Sequence, residues 1–308
     1  MTKRSSALEA IGATPLIRLQ KLPDDEMADV WVKSEGSNPS GSMKDRMALA
    51  MIEGAERRGQ LRPGGRVVEY TGGSTGTSLA FVCAAKGYRA HLVTSDAFAL
   101  EKRRMMKAYG AEVEEVPSEG GRITPDLVPR MIARATELAE EPDTYFTDQF
   151  NNVDNANAYR KLAEEVEEVI GLPDAFVAAV GTGGCFSGAA TYFKERSASV
   201  ECVAVEPAAS RNLSNGELGG HRLEGIGVGF MPPRMRIDLA NSIEAVSDAE
   251  SFELARRLGQ EEGILGGITS GTNVAASLRV ARRLRPGKRV VTVIVDTGIK
   301  YLAGDLYA

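Results

Sequence analysis

The chain has 308 residues, a hydrophobic share of 43% and a formal net charge of −5 at pH 7. This length and composition predict about two globular domains with ordinary cores. Lysines and arginines are dispersed, which argues against a nucleic-acid-binding face, and no apolar stretch approaches the ~20 residues of a membrane span. Residues 1–10 lack the apolar core of a secretory signal, so we expect a cytoplasmic protein that binds neither nucleic acid nor membrane.

Cysteines and histidines narrow the chemistry further. Cys83, Cys185 and Cys202 are an odd, scattered set, which indicates a reducing compartment and not a disulfide framework. His91 falls in a predicted strand and His221 in a polar loop. Two such histidines predict neither a metal site nor a hydrolytic triad.

Strands and helices alternate along the chain. In order, the pattern predicts a helix beginning near Lys44, strand 67–70, helix 75–86, strand 90–95, helix 98–109, strand 111–116, helix 124–140 with Pro125 in its first turn, helix 157–170, strand 175–180, helix 186–196, strand 200–206, helix 247–260, helix 271–284 and strand 289–295. This alternation predicts an α/β fold with mainly parallel sheets covered on both faces. Residues 207–235 are rich in Gly, Ser, Asn and Pro and are predicted to form an active-site loop.

The segment Asn38-Pro39-Ser40-Gly41-Ser42-Met43-Lys44-Asp45-Arg46 places a lysine at the predicted start of a helix. The apolar face of that helix follows at Met47, Met51, Ile52 and Ala55. The positive end of a helix disfavours a lysine cation, and a neutral amine can form a Schiff base and move protons. The alternative is an ordinary surface lysine in a first helical turn.

A second segment, Gly181-Thr182-Gly183-Gly184-Cys185-Phe186-Ser187-Gly188, follows an apolar strand and precedes a helix. Backbone N–H groups of such a turn can approach a phosphate, whose charge the helix end favours. The spacing differs from a dinucleotide fingerprint, since residue 186 is Phe, and no Gly-Lys-Ser/Thr follows as in a nucleoside-triphosphate loop. A glycine turn that only packs helices is the alternative.

Two further segments complete the pattern. Thr71-Gly72-Gly73-Ser74-Thr75-Gly76 lies at a strand-to-helix turn whose N–H groups and hydroxyls suit a substrate carboxylate, or it is an ordinary tight turn. Gly267-Ile268-Thr269-Ser270-Gly271 carries a hydroxyl at Thr269. The alternative for this threonine is that it caps the helix predicted from Gly271.

The order and spacing of the four segments resemble the cysteine synthase (O-acetylserine sulfhydrylase) and cystathionine β-synthase family of fold-type II pyridoxal-phosphate enzymes. The resemblance runs from Ile11-Gly12-Ala13-Thr14-Pro15-Leu16 to Asp296-Thr297-Gly298-Ile299-Lys300-Tyr301-Leu302. It implies two three-layer αβα domains with mainly parallel twisted sheets, like tryptophan synthase β, and the cofactor in the interdomain cleft. The implied domains are a smaller mobile one at 40–146 and a larger cofactor-binding one made of 1–39 and 147–308.

The same resemblance implies roles for individual residues. Lys44 holds pyridoxal 5'-phosphate as a Schiff base and then acts as the α-proton base. The implied cofactor-binding residues are Lys44, Ser74, Gly181, Thr182, Gly183, Gly184, Cys185 and Thr269, the last opposite the pyridine nitrogen. The implied substrate-binding residues are Thr71, Gly72, Gly73, Thr75, Gln149 and Gly225. For Gln149 an exposed loop amide is the alternative, and for Gly225 a flexible turn.

The implied activity is a transferase-type β-replacement that converts O-acetyl-L-serine and sulfide to L-cysteine and acetate through a lyase-type elimination step. The resemblance also implies a homodimer and a site for the C-terminal tail of serine acetyltransferase. The alternatives are another donor or nucleophile (cystathionine or cyanoalanine type), a serine/threonine dehydratase, or a non-catalytic scaffold that binds serine acetyltransferase.

Four positions depart from the family pattern. Ser74 stands where the family usually has asparagine, and Cys185 stands where it usually has threonine. Phe98 and Ala99 replace Met and Ser in a pocket loop, where the larger Phe98 either reshapes the pocket or packs in the core.

Overall fold

The computed structural model describes residues 4–122, 124 and 126–308. Pro125, predicted in a first helical turn, lies outside the described residues. The chain divides into two compact units. The first unit contains the described residues of Met1–Ile11 together with Lys44–Asn155, and the second contains Gly12–Met43 and Ala156–Ala308. The predicted folding and motion of 40–146 as a domain stay a prediction.

The described strands and helices follow the predicted alternation. The strands are β1 (Leu16–Arg18), β2 (Asp29–Ser34), β3 (Arg66–Tyr70), β4 (Arg89–Ser95), β5 (Glu112–Val116), β6 (Thr144–Phe146), β7 (Ala175–Ala179), β8 (Glu201–Pro207), β9 (Ser242–Val246) and β10 (Arg289–Ile294). The helices are α1 (Lys44–Arg57), α2 (Ser74–Lys86), α3 (Leu100–Ala108), α4 (Leu127–Ala139), α5 (Asp154–Asn157), α6 (Arg160–Ile170), α7 (Gly184–Arg196), α8 (Asp248–Glu262) and α9 (Ile268–Leu284).

The first unit is built on a sheet of strand order β5-β4-β3-β6, and every pairing in it is parallel. Strand β3 lies between β4 and β6, and its Val67 and Val68 are fully buried. A central parallel strand is covered on both faces, which favours apolar residues such as these. It ends at Tyr70, so its carboxyl end leads directly into the turn of residues 71–76.

The second unit contains a sheet of order β1-β2-β10-β7-β8-β9, parallel except for the β1–β2 pair. All five residues of β7 are buried. Its carboxyl end leads into the glycine segment that begins at Gly181. Both candidate binding segments therefore follow the carboxyl ends of parallel strands, which is where open α/β sheets bind ligands.

Several predictions from sequence are confirmed. The fold is α/β with two mainly parallel sheets, and α1 begins at Lys44 and buries Met47, Met51, Ile52 and Ala55 completely. Helix α8 has the predicted Ser247 cap, with a reciprocal bond between Ser247 and Glu250. The predicted start of α9 was wrong, because this helix begins at Ile268 and not at Gly271.

Candidate active site

Lys44 is the first residue of α1 and is partly buried. The chain enters this helix through Gly41, whose φ of +76° is strained for any residue with a side chain. A Cβ atom on Gly41 would also lie 2.7 Å from the Thr297 Cγ2 atom. Position 41 therefore requires glycine, both because of its backbone conformation and because a side chain there would have no room.

The turn of residues 71–76 is organised by the hydroxyl of Thr71. Its Oγ1 atom accepts hydrogen bonds from Gly73 N at 2.9 Å and from Gly76 N at 3.0 Å. Gly73 has a φ of +134°, and a Cβ on it would lie 2.4 Å from Lys102 Cδ. Gly72 is exposed and Ser74 is partly exposed, so these two residues form the accessible rim of the turn.

Gln149 is buried next to this turn and is 6% exposed. Both the oxygen and the nitrogen of its side-chain amide are hydrogen-bonded. Its Oε1 accepts from the Thr75 hydroxyl at 2.8 Å, and its Nε2 donates to Tyr70 O at 3.0 Å. The alternative of an exposed loop amide was wrong. The first unit thus brings Thr71, Thr75 and Gln149 together at the end of β3.

Residues 147–149 are hydrogen-bonded to a buried carboxyl that the sequence patterns did not indicate. Glu69 lies in β3 with no exposed surface and accepts from Gln149 N at 3.0 Å. Burial raises the pKa of this carboxyl to about 8, although hydrogen bonds from the Thr147 hydroxyl and Gln149 N–H oppose the shift. The available signal was a glutamate that directly follows the apolar residues Val67 and Val68 in the strand.

In the second unit, the glycine segment leads into α7. Gly183 is the residue before this helix and has a φ of +82°. A Cβ on Gly181 would lie 2.1 Å from the carbonyl oxygen of Gly225. Gly181 therefore contacts Gly225 directly. In the sequence these two residues belong to different segments. Bare backbone at a helix N-terminus suits a phosphate.

Cys185 occupies the first turn of α7 and is buried. Cys83 and Cys202 are also buried, and none of the three cysteines forms a disulfide. Burial raises the pKa of Cys83 to about 12 and that of Cys202 to about 11, so neither forms a thiolate readily at neutral pH.

Thr269 is the second residue of α9 and is 4% exposed. Its hydroxyl donates a 2.7 Å hydrogen bond to the carbonyl oxygen of Glu224, the residue before Gly225. Helix α9 begins one residue earlier, after Gly267, with no side-chain cap. The capping alternative for Thr269 was therefore wrong, and its hydroxyl faces the 207–235 loop instead.

Comparison with known proteins supports one family for the whole chain. Residues 7–296 match the family model of the pyridoxal-phosphate dependent enzymes. The chain belongs to this family. A cysteine synthase of Staphylococcus aureus is 43% identical over 303 residues, which cover 97% of this chain and 96% of that protein.

Two solved structures of this family extend the comparison. The O-acetylserine dependent cystathionine β-synthase of Helicobacter pylori superposes with a TM-score of 0.92 at 35% identity, and 100% of each chain is covered. A hydrogen sulfide-producing enzyme of Fusobacterium nucleatum superposes with a TM-score of 0.91 at 36% identity, covering 97% of this chain and 100% of that one.

The family's cofactor is pyridoxal 5'-phosphate. The described residues fit its groups one by one. Gly181 and Gly183 leave a side-chain-free cradle at the start of α7 for a phosphate, and Lys44 offers an amine at the start of α1. Thr269 carries a buried hydroxyl, a neutral group where a carboxylate would be charged. Within the described part of the chain, no group of three His, Cys, Asp or Glu residues could hold a metal ion, and no helix has the length and apolar character needed to cross a membrane.

Proposed function

We propose that this enzyme replaces the β-substituent of O-acetyl-L-serine with sulfide, giving L-cysteine and acetate. The observation that carries the proposal is 43% identity with a cysteine synthase over nearly the full length of both chains. When bound, pyridoxal phosphate supplies an electron sink for the pair that is freed at the substrate α-carbon.

In this proposal Lys44 would hold the cofactor covalently until the amino group of the substrate displaces it, and the freed Lys44 amine would then move a proton. Its amine takes the proton from the substrate α-carbon, the bond from the β-carbon to the acetate oxygen breaks, and acetate leaves with that electron pair. The sulfide sulfur then bonds to the β-carbon, and Lys44 returns the proton to the α-carbon. A base at the start of a helix suits this work, because the helix end favours the neutral amine.

The other proposed roles follow the local geometry of each segment. The Gly181–Gly184 backbone, with Thr182 and Cys185, would bind the phosphate, and Ser74 would contact the cofactor ring. The turn residues Thr71, Gly72, Gly73 and Thr75, with Gln149 and Gly225, would bind the amino-acid substrate. The cofactor's location in a cleft between domains stays a prediction.

Thr269 would face the pyridine nitrogen. Its single hydroxyl proton is donated to the Glu224 carbonyl, so the hydroxyl would turn from that carbonyl in order to donate to the ring nitrogen. A carboxylate at this position would hold the ring nitrogen protonated and deepen electron withdrawal. A hydroxyl leaves that nitrogen largely unprotonated, which favours loss of a β-leaving group over other fates of the α-carbanion.

A second candidate keeps the donor and changes the nucleophile. The Helicobacter pylori relative is an O-acetylserine dependent cystathionine β-synthase that matches the whole chain. Homocysteine in place of sulfide would give cystathionine by the same proton transfers at Lys44. The donor half of the reaction is common to both candidates.

One experiment separates these functions. The purified protein, loaded with pyridoxal phosphate, is mixed with O-acetyl-L-serine or L-serine and with sulfide, cyanide, homocysteine or no nucleophile, and the products are identified by mass spectrometry. We expect cysteine from O-acetyl-L-serine and sulfide, and loss of both visible cofactor absorbance and turnover in Lys44→Ala. Pyruvate formed equally with and without nucleophile would contradict the proposal in favour of a dehydratase, and binding without any product would favour a scaffold.

Assembly and location belong to the same proposal. We infer a cytoplasmic homodimer that docks the C-terminal tail of serine acetyltransferase, supported by three cysteines that form no disulfide and by the family. Light scattering should give twice the chain mass of 32.9 kDa. A synthetic peptide of the tail should compete with O-acetyl-L-serine, and failure to compete would contradict the docking proposal.

A further inference from the structure

Glu69 is a carboxyl without exposed surface in a strand whose neighbours Val67 and Val68 are equally buried. A carboxyl in such a place is costly unless hydrogen bonds satisfy it. The roles proposed above make no use of this residue. Its contacts therefore indicate what it does.

Each Glu69 oxygen accepts from two donors. Oε2 accepts from the Thr147 hydroxyl at 2.6 Å and from Gln149 N at 3.0 Å. Oε1 accepts from Tyr70 N at 3.1 Å and, at the 3.5 Å limit of a hydrogen bond, from Gln149 Nε2. Two of the four donors belong to Gln149, so the carboxyl fixes both the backbone and the amide of that residue.

The local backbone adds to this constraint. Asp148, between the two bonded residues Thr147 and Gln149, has a φ of +44°. This left-handed conformation is tolerated by aspartate but still costs energy, and it persists where the surroundings enforce it. Gln149, the next residue, donates its backbone N–H to Glu69 and its side-chain N–H to Tyr70 O at the end of β3.

From Gln149 the chain of bonds continues to the turn. The Gln149 amide oxygen accepts from the Thr75 hydroxyl, and its nitrogen donates to Tyr70 O. Orientation of the amide is therefore decided by partners on both sides, with Glu69 at the base of the network. A second-layer group that orients a binding residue can matter nearly as much as the binding residue itself.

We propose that Glu69 is a positioning residue for the carboxylate of the amino-acid substrate, acting through Gln149 and Thr75. This inference rests on the proposed function, since it takes those two residues as the substrate-binding groups. Glu69 itself would touch neither substrate nor cofactor.

The protonation of Glu69 is consistent with this role. Burial raises its pKa to about 8, and the nearby Asp148 carboxylate raises it further, while the Tyr70 phenol adjoins it on the same strand. At neutral pH the carboxyl is therefore mainly uncharged and does not repel a substrate carboxylate. The Thr147 hydroxyl suits both states, since it can donate to the carboxylate, or accept from the carboxyl while donating to Val68 O at 3.3 Å.

The test is the variant Glu69→Gln. It keeps the shape of the side chain but replaces one oxygen with an NH₂ group, which cannot accept the hydrogen bonds made to that oxygen. L-Alanine has no leaving group, so its binding to the cofactor-loaded protein can be measured by calorimetry whatever reaction the enzyme performs. We expect its Kd to rise about tenfold, equivalent to one well-placed hydrogen bond. The KM for O-acetyl-L-serine should rise by a similar factor, with kcat changed less.

Glu165→Gln is the matched control. Glu165 is a buried carboxyl of the second unit, paired with Lys33 at 2.6 Å. This variant should lose thermal stability yet keep the wild-type Kd for L-alanine. A folded Glu69→Gln protein with an unchanged Kd would overturn the proposal.

If Glu69→Gln does not fold, Thr147→Val decides the question. It removes one donor to Glu69 and should raise the Kd for L-alanine a few-fold, and an unchanged Kd would overturn the proposal. Absence of turnover with O-acetyl-L-serine in the wild type, with L-alanine binding and its dependence on Glu69 intact, would refute the proposed reaction alone.

Discussion

The ring of Phe98 lies against Gly72, so that a Cβ atom at residue 72 would stand 3.1 Å from the ring carbon Cε1. Gly72 is exposed and Phe98 only partly so. A contact of that length is tighter than ordinary van der Waals packing, and one of the two groups would have to yield. The aromatic ring thus occupies the room that a side chain at residue 72 would need.

This packing predicts coupling between the two positions. Gly72→Ser and Phe98→Met should each raise the KM for the amino-acid substrate. The double variant should lie closer to wild type than the sum of the two effects, with a coupling free energy of about 1 kcal/mol. The measurement is KM in all four proteins. Strictly additive effects would show that the ring does not shape the turn.

A side chain at residue 181 should be tolerated poorly. In Gly181→Ala the new Cβ would meet the Gly225 carbonyl at 2.1 Å, and backbone cannot rotate away as a side chain can. We expect lower thermal stability, by about 1–3 kcal/mol or more, and weaker binding of pyridoxal phosphate in equilibrium dialysis. Gly220→Ala is the control, because nothing lies within 4 Å of its Cβ position. Equal behaviour of the two variants would contradict the contact.

Stability should depend on pH through Glu69. Its pKa is about 8 in the folded protein against 4.5 for an ordinary glutamate, so between these pH values the folded state binds more protons than the unfolded state. The contribution of Glu69 to the free energy of unfolding is therefore complete below about pH 4.5, falls as the pH rises, and is lost above about pH 8.

Urea unfolding of wild type and Glu69→Gln at several pH values measures this dependence. The free energy of unfolding of the wild type should exceed that of Glu69→Gln by an amount that shrinks steadily from pH 5 to pH 8 and then levels off. An advantage that grows over the same range would mean that Glu69 is ionised in the folded protein at neutral pH.

The hydroxyl at residue 269 should be replaceable only by another hydroxyl. Thr269→Ser keeps the donor to the Glu224 carbonyl and should retain most activity. Thr269→Asp places a negative charge beside a carbonyl oxygen and beside the proposed ring nitrogen, so kcat should fall by about two orders of magnitude. Steady-state kinetics and the cofactor absorbance spectrum measure both effects. Full activity of the aspartate variant would remove Thr269 from the proposed site.

The sequence allowed prediction of the elements whose signals are local. Lys44 as the first residue of α1 and the buried methionine face followed from spacing alone. The start of α9 was predicted incorrectly, because Gly271 was taken as the first residue of the helix. Its Cβ would lie 2.0 Å from Ser251 O, so this glycine is needed where α8 and α9 pack closely, and that requirement comes from tertiary structure.

The missed strands and the missed site residue have similar explanations. Strands β1 and β6 have three residues each, too few for a visible alternation. Strands β2 and β9 were also not predicted, although they have six and five residues. Glu69 resembled any polar residue in a strand until its partner Gln149, 80 positions along the chain, was seen to donate to it. Contacts of such long range cannot be derived from periodicity.

The hydroxyl of Thr71 has a kinetic consequence. Because it already accepts the N–H groups of Gly73 and Gly76, the backbone of the turn is ordered before any ligand binds. Its conformational entropy is lost when the protein folds and need not be lost again when a carboxylate arrives. The rate at which a carboxylate binds to this turn should then depend on diffusion and charge, because no loop has to be ordered first.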